Sequence, residues 1–151
     1  MQVFISHSQK DRKLAKELSA RLSAAGVMVW LADERVLPGD NLPLEVGKAL
    51  QRSDAMVVLL SPDAVESRDV RSEIAYALSS PKFEGRVVPV IVKPTKTIPW
   101  LLQTLPMIRS RGTRGPSIKR LAEKIADTLL ESTKEESVVE RLLGEPKTAH
   151  R

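Results

Sequence analysis

Reactive side chains are scarce in this chain of 151 residues, and their types exclude several kinds of catalysis. The absence of cysteine excludes a disulfide framework, a thiolate metal site and a cysteine nucleophile. Two distant histidines, His7 and His150, exclude a histidine-rich zinc site. Ser6, His7 and Ser8 follow the first apolar segment, where they could line a cleft at the carboxyl end of a strand. We expect His7 to contact a substrate or to be structural rather than to act as a general base.

Two carboxylates and a phenol share one face of a predicted helix over residues 69–80. The apolar stripe of that helix is formed by Val70, Ile74, Ala77 and Leu78. At about 100° per residue, Glu73 lies at the edge of the stripe, with Asp69 and Tyr76 on its face. Because Asp69 places a like charge one turn away, the apparent pKa of one of the two carboxyls should rise.

The net charge of +5 indicates attraction to anions. The densest basic stretch contains Arg109, Arg111, Arg114, Lys119, Arg120 and Lys124. It has no interleaved aromatic residue and no recognised nucleic-acid motif, so we do not expect a nucleic-acid partner. A solvated basic face, or attraction of an anionic small molecule such as a pyrophosphate, stays open.

Apolar runs alternate with helical patterns along the chain. Five short apolar segments are predicted as strands: residues 3–5, 27–31, 55–60, 87–92 and 105–108. The third is apolar throughout, which suits a strand covered on both faces, and Pro89 predicts a bulge or an unpaired residue in the fourth. The repeated β-α units predict an α/β fold, a doubly wound parallel sheet with helices on both faces.

Helices are predicted between the strands. The first has Ser8 as its N-cap, with Asp11 at the spacing of a capping box. A loop is predicted over residues 33–43, after which Pro43 opens a short helix. The last helix is predicted to begin at Pro116 and to bury Ile118, Leu121, Ala122, Ile125 and Leu129.

Ligands of such sheets bind at the carboxyl ends of the strands, so the residues there show whether the motifs of common ligand classes are present. Residues 6–11 (Ser-His-Ser-Gln-Lys-Asp) contain no glycine, so the pyrophosphate-binding turn of a nicotinamide dehydrogenase is absent. A phosphate-binding Walker loop is also missing. A phospho-receiver domain needs an aspartate at the end of the third strand, where Ser61 and Pro62 stand instead.

The motifs in the first half of the chain resemble those of TIR (Toll/interleukin-1 receptor) domains, especially bacterial ones. Residues 4–8 (Phe-Ile-Ser-His-Ser) with Asp11 resemble the first box of the family. Residues 29–33 (Val-Trp-Leu-Ala-Asp) and 37–39 (Leu-Pro-Gly) look like its second strand and BB loop. Residues 57–62 (Val-Val-Leu-Leu-Ser-Pro) are similar to its third strand.

Two later segments extend the resemblance to about residues 2–130. Residues 67–74 (Ser-Arg-Asp-Val-Arg-Ser-Glu-Ile) resemble the Ser-x-Trp-x-x-x-Glu segment that opens the third helix of the family. Residues 88–92 (Val-Pro-Val-Ile-Val) also match. The resemblance implies a flavodoxin-like fold of five parallel strands in the order 2-1-3-4-5.

The resemblance also implies a function. Many members are NAD glycohydrolases that break the nicotinamide–ribose bond, and some of their products signal in antiphage defence. It follows that NAD+ would be the substrate, with no separate cofactor and no metal, and that Glu73 would be catalytic. We expect substrate contacts from the first loop, from the start of the helix that carries Glu73 and from the loop after the fourth strand. The residues are Ser6, His7, Ser8, Ser67, Asp69 and Trp100.

Assembly is the second implication of the resemblance. In the family the BB loop packs against a neighbouring subunit and gates the site. The matching residues here are Asp33, Arg35, Leu37, Pro38 and Gly39. We therefore expect self-association, with an activating protein partner possible and no membrane partner, and a cytoplasmic location. The alternative function is a non-catalytic TIR interaction module.

The sequence departs from the family pattern at one important position. Asp69 stands where the family carries an aromatic residue four positions before the glutamate, which removes an apolar wall. Glu73 could equally be a surface residue paired with Arg71 or Lys48. Trp100 could supply a stacking ring for adenine or nicotinamide, or it could cap the core. Ser67 could support the site or cap the helix.

The domain is expected to cover residues 1–131, and residues 132–151 to form a polar tail. Four apolar residues could give the tail a short amphipathic helix: Val138, Val139, Leu142 and Leu143.

Overall fold

The strands form one parallel sheet in the order β2-β1-β3-β4-β5, which confirms the predicted fold. A computed structural model describes the backbone of residues 1–143 and the side chains of these residues except 134–141. The strands are β1 (Gln2–Ser6), β2 (Met28–Trp30), β3 (Ala55–Leu60), β4 (Val87–Ile91) and β5 (Ile108–Arg109).

Helices connect the strands and cover both faces of the sheet. They are α1 (Arg12–Ala24), α2 (Ala32–Arg35), α3 (Leu42–Arg52), α4 (Pro62–Glu66), α5 (Arg68–Ser79), α6 (Trp100–Gln103) and α7 (Pro116–Leu143). Two 3-10 turns span Gln9–Asp11 and Pro81–Phe83. None of the helices within residues 1–143 combines the length and apolar character needed to cross a membrane.

Strand β3 is the centre of the core, since all six of its side chains are buried. Alternate residues point to opposite faces of a strand, so β3 serves two apolar layers. On one face Val57 and Leu59 pack with residues of α1 and α7. On the other face Met56 and Val58 pack with Phe4 of β1 and with residues of α3 and α5. The prediction that this apolar run forms a strand covered on both faces is therefore confirmed.

The prediction of a bulge or an unpaired residue at Pro89 is wrong. Pro89 lies in regular register opposite Val58. The backbone N–H of Val92 donates to Leu60, and alternation along β4 turns the nitrogen of Pro89 toward β5. Pairing with β5 begins only at Val90. Proline is tolerated here because no ladder hydrogen bond is required of its nitrogen.

Other differences from prediction are local. The loop predicted over 33–43 contains α2 and the start of α3, so Pro43 is the second residue of its helix rather than the first. Asn41 caps α3 by accepting a hydrogen bond from the Leu44 N–H at 3.1 Å. Strand β5 is shorter and later than predicted. Leu78 is 36% exposed, so it does not belong to the core stripe of α5.

Helix α7 begins at Pro116, as predicted, and buries all five residues expected to face the core. It continues without a break to Leu143, so the described part of the tail extends the last helix. Leu142 and Leu143 are exposed. The side chains of Val138 and Val139 lie outside the described set. The domain boundary at residue 131 stays a prediction.

A buried carboxylate links the carboxyl ends of three strands. Asp11, 2% exposed, accepts hydrogen bonds from Ser8 Oγ at 2.9 Å, Ser61 Oγ at 2.5 Å and Lys93 Nζ at 2.9 Å. The predicted capping box is therefore wrong, because the Ser8 hydroxyl donates to the carboxylate instead of accepting from the helix backbone. Burial raises the pKa of Asp11, but the Ser61, Lys93 and Ser8 hydrogen bonds outweigh it, and the pKa lies below its ordinary value.

Replacing Asp11→Asn should lower the free energy of unfolding by about 2 kcal/mol at pH 7, because the amide cannot accept from all three donors. Urea unfolding measures the loss. Since the pKa of Asp11 is lowered by folding, its contribution is present at neutral pH and fades as pH falls below about 4. Asp63→Asn is the control, because Asp63 pairs with Lys10 at the surface at 3.7 Å and acts on Lys93 only through its charge. Equal losses in both variants would contradict the assignment.

Candidate functional site

A groove of about 410 Å³ lies beside the carboxyl end of β1, on the α3 and α5 face of the sheet. Its walls come from β1, β2 and the loops after them, together with α3 and α5. The polar residues that line it are His7, Gln9, Asp33, Asp69, Ser72, Glu73 and Tyr76. This is the place where ligands bind in open parallel sheets.

Glu73 is held in this groove by a contact between α5 and β1. The Ser6 hydroxyl donates to Glu73 Oε1 at 2.6 Å. Ser6 is fully buried, at the last position of β1. Helix α5 starts where it does because Ser67 caps it, accepting from the Val70 N–H at 3.3 Å. Lys48, one of the alternative partners of Glu73, lies by Glu45 instead, at 3.8 Å.

The electrostatic environment of Glu73 disfavours its charge. Burial raises the pKa of Glu73 to about 7, the Ser6 hydrogen bond opposes that rise, and the negative charge of Asp69 adds to it. The expectation that the Asp69–Glu73 pair would raise one pKa is therefore met at Glu73, with burial as the larger cause. A carboxyl that titrates near neutral pH inside a groove is typical of a functional site.

The sequence analysis placed Tyr76 beside Glu73, but it did not predict the other two aromatic residues of the groove, Phe4 and Trp30. Phe4 and Trp30 occupy paired positions of β1 and β2, and their rings stack with centroids 5.1 Å apart. Trp30 is 7% exposed and belongs to the core, yet it also lines the groove. Tyr76, on α5, also lines the groove. Aligning the two strands in parallel register would have brought Phe4 and Trp30 together.

The first loop contributes less to the groove than expected. His7 lines it, with Nδ1 2.8 Å from the backbone oxygen of Ser8. Ser6 reaches it only through Glu73, and Ser8 bonds the buried Asp11. Trp100 begins α6, is 71% exposed, and does not line this groove.

Asp69 and the first residue of the predicted BB loop, Asp33, lie in the groove, whereas the rest of that loop lies at the surface. Asp69 and Asp33 both line the groove, and Asp33 also approaches Arg12 at 3.6 Å. Arg35 turns back to the oxygen of Val29 at 3.4 Å. The Leu37 N–H donates to Asp40 at 2.8 Å, closing a turn at residues 37–40 whose Leu37 side chain is 66% exposed.

This turn also needs a glycine. Gly39 has φ of +92°, a conformation that other residues rarely adopt, and it follows Pro38 directly. Pro38 and Gly39 lie outside the groove lining, at the exposed tip of the loop.

The groove is acidic. Asp33, Asp69 and Glu73 line it, and no lysine or arginine does among the residues that the structure describes. Neither do three or more histidine, aspartate or glutamate side chains converge, within the described part of the chain, to form a metal site. The arrangement therefore suits a ligand with a cationic or developing positive group beside Glu73.

Comparison with known proteins agrees with this fold. The sequence model of the TIR domain (TIR_2) matches residues 3–125. The probable 2' cyclic ADP-D-ribose synthase TcpO of Methanobrevibacter olleyae is 29% identical over 131 residues, covering 85% of this chain and 38% of TcpO. The NAD(+) hydrolase PdTIR of Paracoccus denitrificans is 28% identical over 130 residues, covering 84% and 42%.

Solved structures show the same architecture. The crystal structure of the RPS4 and RRS1 TIR domain heterodimer superposes with a TM-score of 0.60 at 20% identity, covering 87% of this chain and 98% of that one. The chain belongs to the TIR domain family. It spans less than half the length of TcpO and PdTIR.

Glu73→Gln should stabilise the protein at alkaline pH, since folding raises the pKa of Glu73 from 4.5 to about 7. A raised carboxyl pKa means that the native protein loses stability as pH rises through this interval, whereas the amide does not. We expect a gain of about 2 kcal/mol at pH 8, allowing for partial solvation, and almost none at pH 4. Thermal unfolding across pH measures it. Glu66→Gln, at an exposed position, is the control; a gain independent of pH would refute the explanation.

Proposed function

We propose that this TIR domain cleaves the N-glycosidic bond between nicotinamide and ribose in NAD+, as a nucleosidase acting on that bond. The observation that carries the proposal is the position of Glu73, partly buried in the groove and bonded to Ser6 at 2.6 Å. The products would be nicotinamide and an ADP-ribose. The names of the relatives TcpO and PdTIR support the same chemistry.

The reaction needs little beyond a well-placed carboxylate. The nicotinamide ring of NAD+ is already cationic, so it leaves with the electron pair of the C–N bond and becomes neutral. The ribose is left with oxocarbenium character, as in glycoside cleavage. The Glu73 carboxylate would stabilise that charge and hold the ribose hydroxyls. Water, or a hydroxyl of the ADP-ribosyl fragment itself, then attacks the anomeric carbon and releases its proton.

The rest of the groove supports this orientation. Its acidic lining favours the cationic nicotinamide end of the substrate over the pyrophosphate. Tyr76 offers aromatic surface to the groove, and Phe4 and Trp30, which are only 2% and 7% exposed, add a small part of its wall. Aromatic faces attract flat cationic rings, which would place the leaving group beside Glu73. Asp69 stands where the family pattern has an aromatic residue, so the groove wall at this position is charged instead of apolar. Its negative charge would attract the cationic ring.

Self-association is a further part of the proposal. Three leucines of the BB loop and the start of α3 are exposed: Leu37 (66%), Leu42 (47%) and Leu44 (52%). Leu42 also lines the groove, so a second copy that covers these leucines would close the substrate site at the same time. Activity would then depend on protein concentration. A structural relative was solved as a TIR heterodimer.

Glu73→Gln should reduce nicotinamide release by at least about 100-fold, because a neutral amide cannot stabilise the ribosyl cation. Chromatography of NAD+ reactions at several protein concentrations measures the rate. Glu66→Gln is the matched control and should retain full activity, because Glu66 is exposed and outside the groove lining.

Two outcomes would overturn the proposal. Release that survives Glu73→Gln would refute the site. No release from the unaltered chain at any concentration, with concentration-dependent association intact, would favour the non-catalytic interaction module instead.

The pH dependence of the same reaction should follow the ionisation of Glu73. The rate should rise with pH and reach half its plateau near pH 7, since the active form is the carboxylate. Asp69→Asn should move the midpoint down, because the negative charge that raises the pKa is gone. Ser6→Ala should move it up, because the hydrogen bond that lowers the pKa is gone. Midpoints that stay fixed in both variants would show that Glu73 does not control the profile.

A further inference from the structure

A second cavity, of about 350 Å³, lies between the edge strand β5 and helix α7. Four basic side chains line it, namely Arg109, Arg111, Arg120 and Lys124. No acidic side chain lines it among the described residues. We call it the basic pocket. It shares no lining residue with the groove of Glu73, and it adjoins the other edge of the sheet.

The fold brings these cations together from two elements. Arg109 ends β5 and Arg111 follows it, whereas Arg120 and Lys124 lie one turn apart on α7. Ser117 and Leu121 complete the same face of α7, because their spacing from Arg120 and Lys124 is helical. The floor is apolar, since Ile108 and Leu121 are each only 5% exposed.

The four cations of the pocket form no close ion pair among the described residues. Within the part of the chain that the structure describes, no carboxylate lies within 4 Å of the charged nitrogens of these four residues. Elsewhere on the surface basic residues do have such partners, as Lys10 has Asp63 and Arg21 has Glu17. Four like charges around one cavity repel one another, and a bound anion would relieve that repulsion.

The loop between β5 and α7 is fitted closely to the pocket. Gly112 hydrogen-bonds with the Ser110 side chain, whose oxygen accepts from the Gly112 N–H at 3.1 Å. A Cβ atom at Gly112 would lie 3.2 Å from Ser117 Oγ, so the loop approaches the first turn of α7 closely because residue 112 is glycine. Ser117 adds a hydroxyl to the wall, whereas the Ser110 hydroxyl donates to the backbone oxygen of Gly112. The N-terminal end of α7 adds its own partial positive charge.

We propose that the basic pocket binds a small molecule that carries two or more linked phosphates. Three guanidinium groups offer forked donors that match phosphate oxygens, and four positive charges exceed what one phosphate would need. The pocket has no aromatic lining residue, so no base is read by stacking, and the phosphate chain itself is the recognised part. Pyrophosphate, tripolyphosphate and the nucleoside polyphosphates share this chemistry.

The size and arrangement of the pocket favour a small ligand over a nucleic acid. Arg114 and Lys119 belong to the same basic stretch of sequence but do not line the cavity. The other four cations line one small cavity, which is shorter than the stripe that would follow a nucleic-acid backbone. Single-stranded nucleic acids also rely on aromatic stacking, which this surface lacks.

Calorimetric titration of the full chain with tripolyphosphate tests the proposal, at fixed ionic strength and with sulfate as the comparison anion. We expect saturable binding of one tripolyphosphate per chain, and at least about tenfold weaker binding in Arg109→Gln/Arg120→Gln, because each lost contact is a charged hydrogen bond. Arg114→Gln/Lys119→Gln removes the same charge outside the pocket and should change the affinity less than twofold. All four positions are exposed, so folding should be unaffected.

Further titrations distinguish a free phosphate chain from a nucleotide and from a nucleic acid. ATP and tripolyphosphate should bind alike if the phosphate chain is recognised, whereas a strong preference for ATP would point to a base contact and overturn that part. If both double variants weaken tripolyphosphate binding equally, the affinity depends only on net charge and the proposed pocket is refuted. Tighter binding of a short single-stranded DNA than of tripolyphosphate would favour a nucleic-acid surface. Glu73→Gln should leave tripolyphosphate binding unchanged, which separates this site from the groove.

Discussion

The central strand β3 has no polar face, and the rest of the structure follows from the need to cover it twice. Its six side chains are buried in two layers, one closed by α1 and α7 and the other by α3 and α5. A parallel sheet with right-handed crossovers supplies helices to both faces. Because α5 must lie over β1 and β3 to close its layer, the edge of its apolar stripe comes to the end of β1. That is how Glu73 meets Ser6.

Two carboxylates at this end of the sheet show how partners decide the behaviour of a buried acid. Burial raises the pKa of both Asp11 and Glu73. Asp11 has three donors, one of them the Lys93 ammonium, and its pKa falls below the ordinary value. Glu73 has one donor and a neighbouring anion, and its pKa rises to about 7. The first arrangement ties strand ends together, and the second leaves a carboxyl that titrates near neutral pH, at the cost of stability.

The distribution of charge also separates two regions of the molecule. The groove beside β1 is lined by carboxylates, and the basic pocket beside β5 by cations. These lie toward opposite edges of the sheet, so a ligand is directed by its own charge to one or the other. A net charge of +5 conceals this division, because the sum does not reveal that the surplus cations gather along β5 and α7.

Sequence patterns alone were enough for the strand order, the first four strands near their observed limits, the helix from Pro116, and Glu73 as the residue of interest. Apolar periodicity and motif order carry that information because they depend on neighbours along the chain. Three features depended on contacts between distant segments: the fate of Asp11, the regular pairing of Pro89, and the Phe4–Trp30 stack in the groove wall. Ser8 and Asp11 have the spacing of a capping box, yet Ser61 and Lys93 compete for the same carboxylate from 50 and 82 residues away. Such competition is settled only when the strand ends meet in space, and for that reason the tertiary structure, and not the local sequence, decided which side chains form the site.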